Sequence, residues 1–280
     1  MRRLLVEQTP HWALLPIASV SQDGWDNRTY RLGEEFSVRL PSHERYAAAV
    51  AKEDRWLPVL APHLPLPVPE PLFTGVPGEL FGLPWSVRRW LPGEPVATAE
   101  VTDPVRVAET LAAFLVALRA VDASGGPVAG EHSFHRGGSL AVYDAETRAC
   151  VASRLGRIDG PAALGVWEEA LAATWTADPV WFHGDVAVGN LLVRDGRLSA
   201  VIDFGTCGVG DPACDLVIAW TFLGGRSRRT FADAVGLDAG TWARARGWAL
   251  WKALISITDE PDASAEPLRV IAEVLADPVA

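Results

Sequence analysis

Val180-Trp181-Phe182-His183-Gly184-Asp185-Val186-Ala187-Val188-Gly189-Asn190-Leu191-Leu192-Val193 runs through Arg194-Asp195-Gly196-Arg197 into Leu198-Ser199-Ala200-Val201-Ile202-Asp203-Phe204-Gly205. Asp-Gly between two apolar runs is a hairpin signal, because both turn positions take a left-handed backbone that aspartate tolerates and glycine adopts freely. Pairing of the two runs would bring Asn190 and Asp203 together at the open end of the hairpin. Asp185 lies five positions before Asn190. A carboxylate and an amide oxygen suit a hard divalent cation, and a second carboxylate can orient a hydroxyl and take its proton. Taken singly, Asp185 and Asp203 read equally as loop caps and Asn190 as the start of a strand. Taken in order, they read as a phosphoryl-transfer centre, with Asp185 as base and Asn190 and Asp203 as Mg²⁺ ligands.

The spacing is that of the protein-kinase catalytic loop H-R-D-x-x-x-x-N followed by D-F-G. H-G-D-V-A-V-G-N-L-L-V (183–193), I-D-F-G (202–205) and G-D-P-A-C-D-L (210–216) resemble the aminoglycoside phosphotransferase family of small-molecule kinases. Looser likeness extends to Gly24-Trp25-Asp26-Asn27, Glu53-Asp54-Arg55-Trp56-Leu57-Pro58, Leu64-Pro65-Leu66-Pro67-Val68-Pro69 and Trp90-Leu91-Pro92-Gly93-Glu94. The resemblance implies an α+β, two-lobed protein-kinase-like fold. Residues 1–91 would form a small antiparallel β-sheet lobe that binds nucleotide, and 92–280 a larger, mainly helical lobe for catalysis and acceptor binding. It implies transfer of the γ-phosphate of ATP or GTP, with Mg²⁺, to a hydroxyl of an aminoglycoside-like antibiotic. A metabolite hydroxyl (homoserine, choline or a sugar) is the alternative acceptor, and a nucleotide-binding pseudokinase the non-enzymatic alternative. The presence of both Asp185 and Asp203 argues against the latter. A protein-serine kinase is disfavoured because no A-P-E segment follows Asp203.

The resemblance also places the nucleotide contacts. The turn from Ser21 to Asn27 would lie over the phosphates, although it holds one glycine and no G-x-G-x-x-G, and an ordinary hairpin turn would read the same. Kinases put a lysine on the third strand; Ser37-Val38-Arg39-Leu40 offers Arg39 instead, and the only two lysines are Lys52 and Lys252. Arginine binds phosphate through a planar fork of donors, so Arg39 keeps the role while the choice between ATP and GTP stays open. Glu53 is the carboxylate expected to pair with Arg39, with Glu44 as the alternative. The main chain of Arg89 and Leu91 would hydrogen-bond the adenine where Pro92-Gly93-Glu94-Pro95 ends a strand over 83–91. Asp259, Glu260 and Asp262 would receive amino groups of the acceptor, although an exposed acidic loop looks the same.

Local patterning fills in the rest. Residues 11–40 read as three antiparallel strands with tight turns. A helix is expected over 43–57, with Ser42 as cap and Pro58 as stop, followed by an extended proline-rich segment over 58–71. Further helices are expected over 105–121 with a cap at Thr102 or Asp103, 161–175, 213–223 behind Asp211-Pro212, 227–235, 239–257 and 264–276, with a flexible Gly/Ser-rich loop over 123–139. Asp215 is read as a support that holds backbone near the catalytic loop. Trp242, Trp248, Trp251 and Ile255 recur at helical spacing, which reads as core packing.

With 49% apolar residues in 280, the chain can bury a sizeable core rather than remain disordered. Its net charge is −10 and it has no Lys/Arg cluster to track a phosphate backbone, so nucleic acid is not expected as a partner. An acidic surface would draw a cationic acceptor, and equally serves solubility. Cys150, Cys207 and Cys214 are odd in number and irregularly spaced, so no disulfide framework is expected, which fits a reducing cytoplasm. His132, His135 and Cys150 lack a fourth ligand for a metal site. Glu7, Gln8 and Pro10 interrupt the first apolar stretch too early for a signal peptide, and no run has membrane-spanning length. The expected partners are a nucleoside triphosphate and a small acceptor, without a membrane.

Overall fold

A computed structural model describes residues 1–20 and 26–277. A short helix, α1 (Arg2–Gln8), precedes the strands β1 (Ile17–Ser19), β2 (Asn27–Leu32) and β3 (Phe36–Pro41), which supply the antiparallel pattern expected over 11–40. Helix α2 (Ala47–Leu60) follows, and β4 (Pro71–Gly75) and β5 (Trp85–Arg89) complete an antiparallel sheet in the order β1-β2-β3-β5-β4. Strand alternation gives this sheet two unlike faces. Val38, Trp85 and Val87 pack with Leu4 and Leu5 of α1 in an apolar cluster. Ser37, Arg39, Ser86 and Arg88 alternate with them and form a polar face buried beneath α2.

Helix α2 departs from the expected bounds at both ends. A 3-10 turn at Glu44–Tyr46 precedes it, and the side chain of His43, not Ser42, accepts the first N–H, from Arg45. Pro58 lies inside the helix rather than ending it. In the last turn proline forfeits one intrahelical bond, and the helix still closes through Ala61 N–H on Leu57 O. The extended segment therefore begins after a second 3-10 turn at Ala61–His63, and Pro67 O accepts Val201 N–H at 3.2 Å.

The rest of the described chain is mainly helical. After β6 (Glu94–Pro95) come α3 (Pro104–Ala120), α4 (Asp144–Ser153) and α5 (Gly160–Ala172). Asp103 caps α3 through Arg106 N–H. Helix α4 was not expected: only Thr147 and Val151 are buried on it, too sparse a pattern to show a period. Strands β7 (Val180–Phe182), β8 (Leu191–Arg194), β9 (Arg197–Val201) and β10 (Gly208–Gly210) carry the motif residues. Asp211 caps a 3-10 turn, Pro212–Val217, which runs into a single α-helical turn, α6 (Ile218–Thr221), in place of one helix over 213–223. Helices α7 (Gly225–Val235), α8 (Ala239–Ser256) and α9 (Pro261–Ala276) end the fold. Trp248 and Trp251 on α8 are buried and Trp242 packs at the core margin, as the packing reading requires, whereas Ile255 is exposed. Among the described residues no helix is long and apolar enough to cross a membrane.

Strands β8 and β9 form the expected hairpin, with Arg194 opposite Arg197 and positive φ at Asp195 (52°) and Gly196 (72°). The segment over 123–139 is stitched down rather than free. Val209 N–H donates to Pro127 O at 2.8 Å, Ala129 N–H to Val209 O at 3.0 Å, and Asp211 N–H to Gly137 O at 2.8 Å. Gly137 has φ 78°, and a Cβ there would sit 2.0 Å from the ring of Phe182 on β7. Gly137→Ala therefore combines a disfavoured backbone with overpacking, and is expected to lower stability by about 1–3 kcal/mol. Chemical denaturation of the variant against the parent checks this; equal midpoints would remove the close approach.

Candidate active site

The loop that carries Asp185 leaves β7 and is held from behind by a buried carboxylate. Asp215 accepts His183 N–H at 2.8 Å and Gly184 N–H at 2.7 Å, the support role read from the sequence. Burial pushes the Asp215 carboxyl above its ordinary value, against the neighbouring His183 imidazole and these two bonds. His183 Nδ1 accepts Asp185 N–H at 3.2 Å, so its Nε2–H donates to Ile202 O at 3.0 Å and joins the loop to the strand leading to Asp203. Gly184 turns at φ 86°, where a Cβ would approach Thr206 O to 2.8 Å. No other residue fits that corner without displacing backbone.

Asp185 and Asn190 are directly bonded. Asn190 Nδ2 donates to Asp185 Oδ2 at 3.0 Å and to Asp185 O at 2.9 Å, while Asn190 O accepts Ile202 N–H at 2.9 Å. The other oxygen of Asp185, Oδ1, accepts Lys252 Nζ at 2.7 Å. Burial alone would raise the Asp185 carboxyl, but Lys252 and then Arg136 hold it below the ordinary carboxylate range. Its side chain keeps 30% exposure.

Asp203 follows at φ 68°, ψ 69°, a left-handed backbone that a non-glycine residue adopts at a cost. Its Oδ1 accepts Arg39 at 3.2 Å. Arg39 also bonds Glu53 Oε1 at 3.2 Å and lies 3.9 Å from Asp26 Oδ2. Glu53 is 2% exposed and is gripped on its other oxygen by Arg88, itself 1% exposed, at 3.2 Å. Phe204 N–H donates to Glu53 Oε1 at 3.2 Å. Burial favours the neutral acid, but Arg88 and then Arg39 hold Glu53 below its ordinary value. Burial would likewise lower Arg39, and Glu53, Asp203 and Asp26 reverse it and keep the guanidinium firmly charged.

The structure thus brings Arg39, Glu53, Asp185, Asn190 and Asp203 into one continuous network. Asn27 lies at its edge and is buried, its Nδ2 donating to Asp26 Oδ2 at 2.8 Å. Ser21 lies outside the described residues. Arg89 ends β5 with its N–H on Glu70 O at 3.4 Å; Leu91 follows in the connector, and its main chain has no hydrogen-bond partner among the described residues. Glu44 is exposed in its 3-10 turn. Asp259, Glu260 and Asp262 are exposed at the start of α9, with Asp259 only 4.0 Å from Arg154, and none lines the recess beside Asp185. That recess is walled by Arg136, Val186, Val217, Trp248, Trp251 and Lys252.

Four charged residues of the site escaped the sequence reading. Asp26 stands in a turn judged by its glycine, and Arg88 alternates with the apolar residues of β5, a position where a charge signals a buried pair. Lys252 lies one helical turn after Trp248, on the aromatic stripe itself. Arg136 follows two consecutive non-glycine residues of positive φ, Phe134 (50°) and His135 (55°), which sequence does not announce. The hard oxygen donors of Asn190 and Asp203 suit Mg²⁺, and the Asn190–Ile202 bond keeps them adjacent.

Known proteins share the fold. Solved structures of similar fold include the GDP complex of wild-type aminoglycoside 2'-phosphotransferase-IIIa (TM-score 0.73, 18% identity, covering 98% of this chain and 97% of that one). The apoenzyme of macrolide 2'-phosphotransferase MphH from Brachybacterium faecium is similar too (TM-score 0.63, 24% identity, 97% and 98% covered). Among curated proteins, an aminoglycoside 3'-phosphotransferase of Escherichia coli is 38% identical over 66 residues, which is 23% of this chain and 24% of that protein. One of Salmonella typhimurium is 38% identical over 60 residues, 21% of this chain and 22% of that protein. The matched stretch thus spans about a quarter of these relatives' length. The model of the phosphotransferase enzyme family matches residues 18–248, well over half of the sequence, and the chain belongs to that family.

Proposed function

We propose that the protein transfers the γ-phosphoryl group of ATP or GTP to a hydroxyl of a small-molecule antibiotic, with Asp185 as the base. The observation that carries this reading is the unbroken connection Asp185–Asn190–Ile202–Asp203, which sets a proton acceptor next to a pair of hard oxygen ligands. Asn190 and Asp203 would hold Mg²⁺, which when bound offsets the charge of the triphosphate. The chain's own work is placement. Asp185 orients the acceptor hydroxyl and takes its proton, Arg39 meets the phosphates as a cation anchored by Glu53, and the Leu91 main chain receives the base. Residues 1–91 would serve the nucleotide and 92–280 the acceptor.

Aminoglycoside-like antibiotics are the first acceptors to test, because the similar curated proteins act on that class. A less cationic antibiotic is the second reading. Its support is the recess itself, where Asp185 is the sole carboxylate and Arg136 and Lys252 are both cations. Turnover with a panel of aminoglycosides, macrolides and hydroxylated metabolites decides among these acceptors, and nucleotide binding without any turnover would favour a pseudokinase.

Asp185→Ala is expected to cut kcat by about 100- to 10,000-fold, the range for a lost general base, with nucleotide Kd little changed. Parallel loss of nucleotide binding would place Asp185 in folding or metal binding instead. Asp203→Ala is expected to abolish the Mg²⁺ dependence of nucleotide binding while freeing Arg39 for the phosphates. Calorimetric titration with and without Mg²⁺ reads both effects, and an unchanged Mg²⁺ dependence removes Asp203 from the metal site.

Asp26 yields a pH-dependent expectation. Burial, then the charge of Asp203, raises its carboxyl to about 6 despite Arg39. A carboxyl with a raised folded value binds its proton more tightly when folded, so its contribution to stability is full below the unfolded value and falls as pH rises toward 6. Asp26→Asn, which cannot ionise, is therefore expected to raise Tm relative to the parent more at pH 7.5 than at pH 4.5. A Tm difference independent of pH would overturn the assignment.

A further inference from the structure

Lys252 pairs with the carboxylate of Asp185 at the edge of the recess. It projects from the last turns of α8, half-exposed, with its ammonium 2.7 Å from Asp185 Oδ1. Asp185 is its only side-chain partner among the described residues, so one of three N–H donors is used and two remain. Asp185 is already fixed by Asn190 at its other oxygen and by His183 at its backbone, so the lysine is not required to hold the loop. A hydroxyl that gives its proton to Asp185 must come within about 2.6–3.2 Å of that carboxylate, and the phosphorus approaches the same oxygen. A donor bonded to Asp185 therefore lies one hydrogen bond from the phosphoryl oxygens.

Resting on the proposed phosphotransferase reading, we infer that Lys252 is a catalytic residue, whose ammonium bridges the Asp185 carboxylate and the phosphoryl group during transfer. The acceptor oxygen forms a bond to phosphorus as the bond from phosphorus to the β-bridging oxygen breaks. The acceptor proton passes to Asp185, and the nucleoside diphosphate leaves with the electron pair. Until that proton arrives, the phosphoryl oxygens carry negative charge beside the anionic base, and Lys252 offsets that repulsion. Arg136 faces the same recess over the Trp251 ring at 5.7 Å and adds to its positive field.

The choice of side chain agrees with this role. Of 25 basic residues only Lys52 and Lys252 are lysines, so arginine is the ordinary cation of this protein. A planar guanidinium locks onto a carboxylate through two parallel bonds, whereas a compact ammonium directs its three donors to different acceptors. A bridge between a carboxylate and a tetrahedral phosphoryl group needs the second geometry.

The test uses full-length Lys252→Met, Lys252→Arg and Asp185→Asn, alone and with Lys252→Met combined with Asp185→Asn. Turnover is followed with the acceptor found in the panel, or with water as acceptor of ATP or GTP where none is found. Lys252→Met is expected to lower kcat about 100-fold, the usual loss for one charge-stabilising donor, with nucleotide Kd and acceptor KM within about threefold. Lys252→Arg is expected to fall between the two, and it stands in for the methionine variant should that one fail to fold. In the Asp185→Asn background, Lys252→Met is expected to reduce the residual rate further. No further loss there would mean that Lys252 acts only through Asp185, and would overturn the bridge. Full kcat in Lys252→Met beside a collapsed rate in Asp185→Asn overturns the lysine's role alone, full kcat in both overturns Asp185 as the base, and no turnover by the parent protein with any acceptor or water overturns the phosphotransferase reading.

Discussion

A buried carboxylate between two guanidiniums is the constraint on which the rest depends. Glu53 bonds Arg39 with one oxygen and Arg88 with the other, and accepts Phe204 N–H as well. Taking such charges out of water costs several kcal/mol per ion before their mutual attraction offsets it, so the arrangement is weak evidence for stability. Its value is in specificity. Only one register of β3 against β5 presents Arg39 and Arg88 together to α2, because a slip of one residue would turn Val38 and Val87 toward the carboxylate. The same carboxylate reaches Phe204, so the sheet, the helix and the segment after Asp203 share one electrostatic anchor.

From that anchor the strain in the site becomes intelligible. Asp203 holds a left-handed backbone, and Phe204 N–H on Glu53 with Arg39 on its own carboxylate are the contacts that keep it there. On the other side of the hairpin, Asp215 receives two consecutive N–H groups and sets the corner at Gly184. The two supports meet at Ile202, whose N–H and C=O bond Asn190 and His183. A displacement of either support would reach both acidic residues, since interiors packed this closely transmit strain rather than absorb it.

What was legible in the sequence was local. The hairpin follows from Asp195-Gly196, the α3 cap from the Thr102-Asp103 pair, of which Asp103 serves, and the support by Asp215 from its place just behind Asp211-Pro212. Pairings across long separations were legible only where the resemblance supplied them, as for Arg39 with Glu53. Arg88 shows why: it is a strand residue beside Arg89, and nothing in its neighbourhood reports that Glu53 and Asp54 lie above it. Proline rules misjudged α2, because a proline in a last turn forfeits only one bond. Glycine content misjudged 123–139, where a backbone ladder to β10 supplies the order that side chains do not.

The recess beside Asp185 unites the two hardest readings. The stripe on α8 was read as packing, and Trp248 and Trp251 are indeed buried, yet the same helical period carries Lys252 onto Asp185. One helix face buries Trp248 and, a turn later, delivers the charge of Lys252. The protein as a whole is acidic, at −10, so its distant field draws cations, while the walls nearest the base repel them. Long-range attraction fades within a Debye length in salt, but the contact charges of the recess do not. Under the proposed reading, an acceptor that reaches Asp185 meets Arg136 and Lys252 first, and the exposed acids at the start of α9 lie outside that recess.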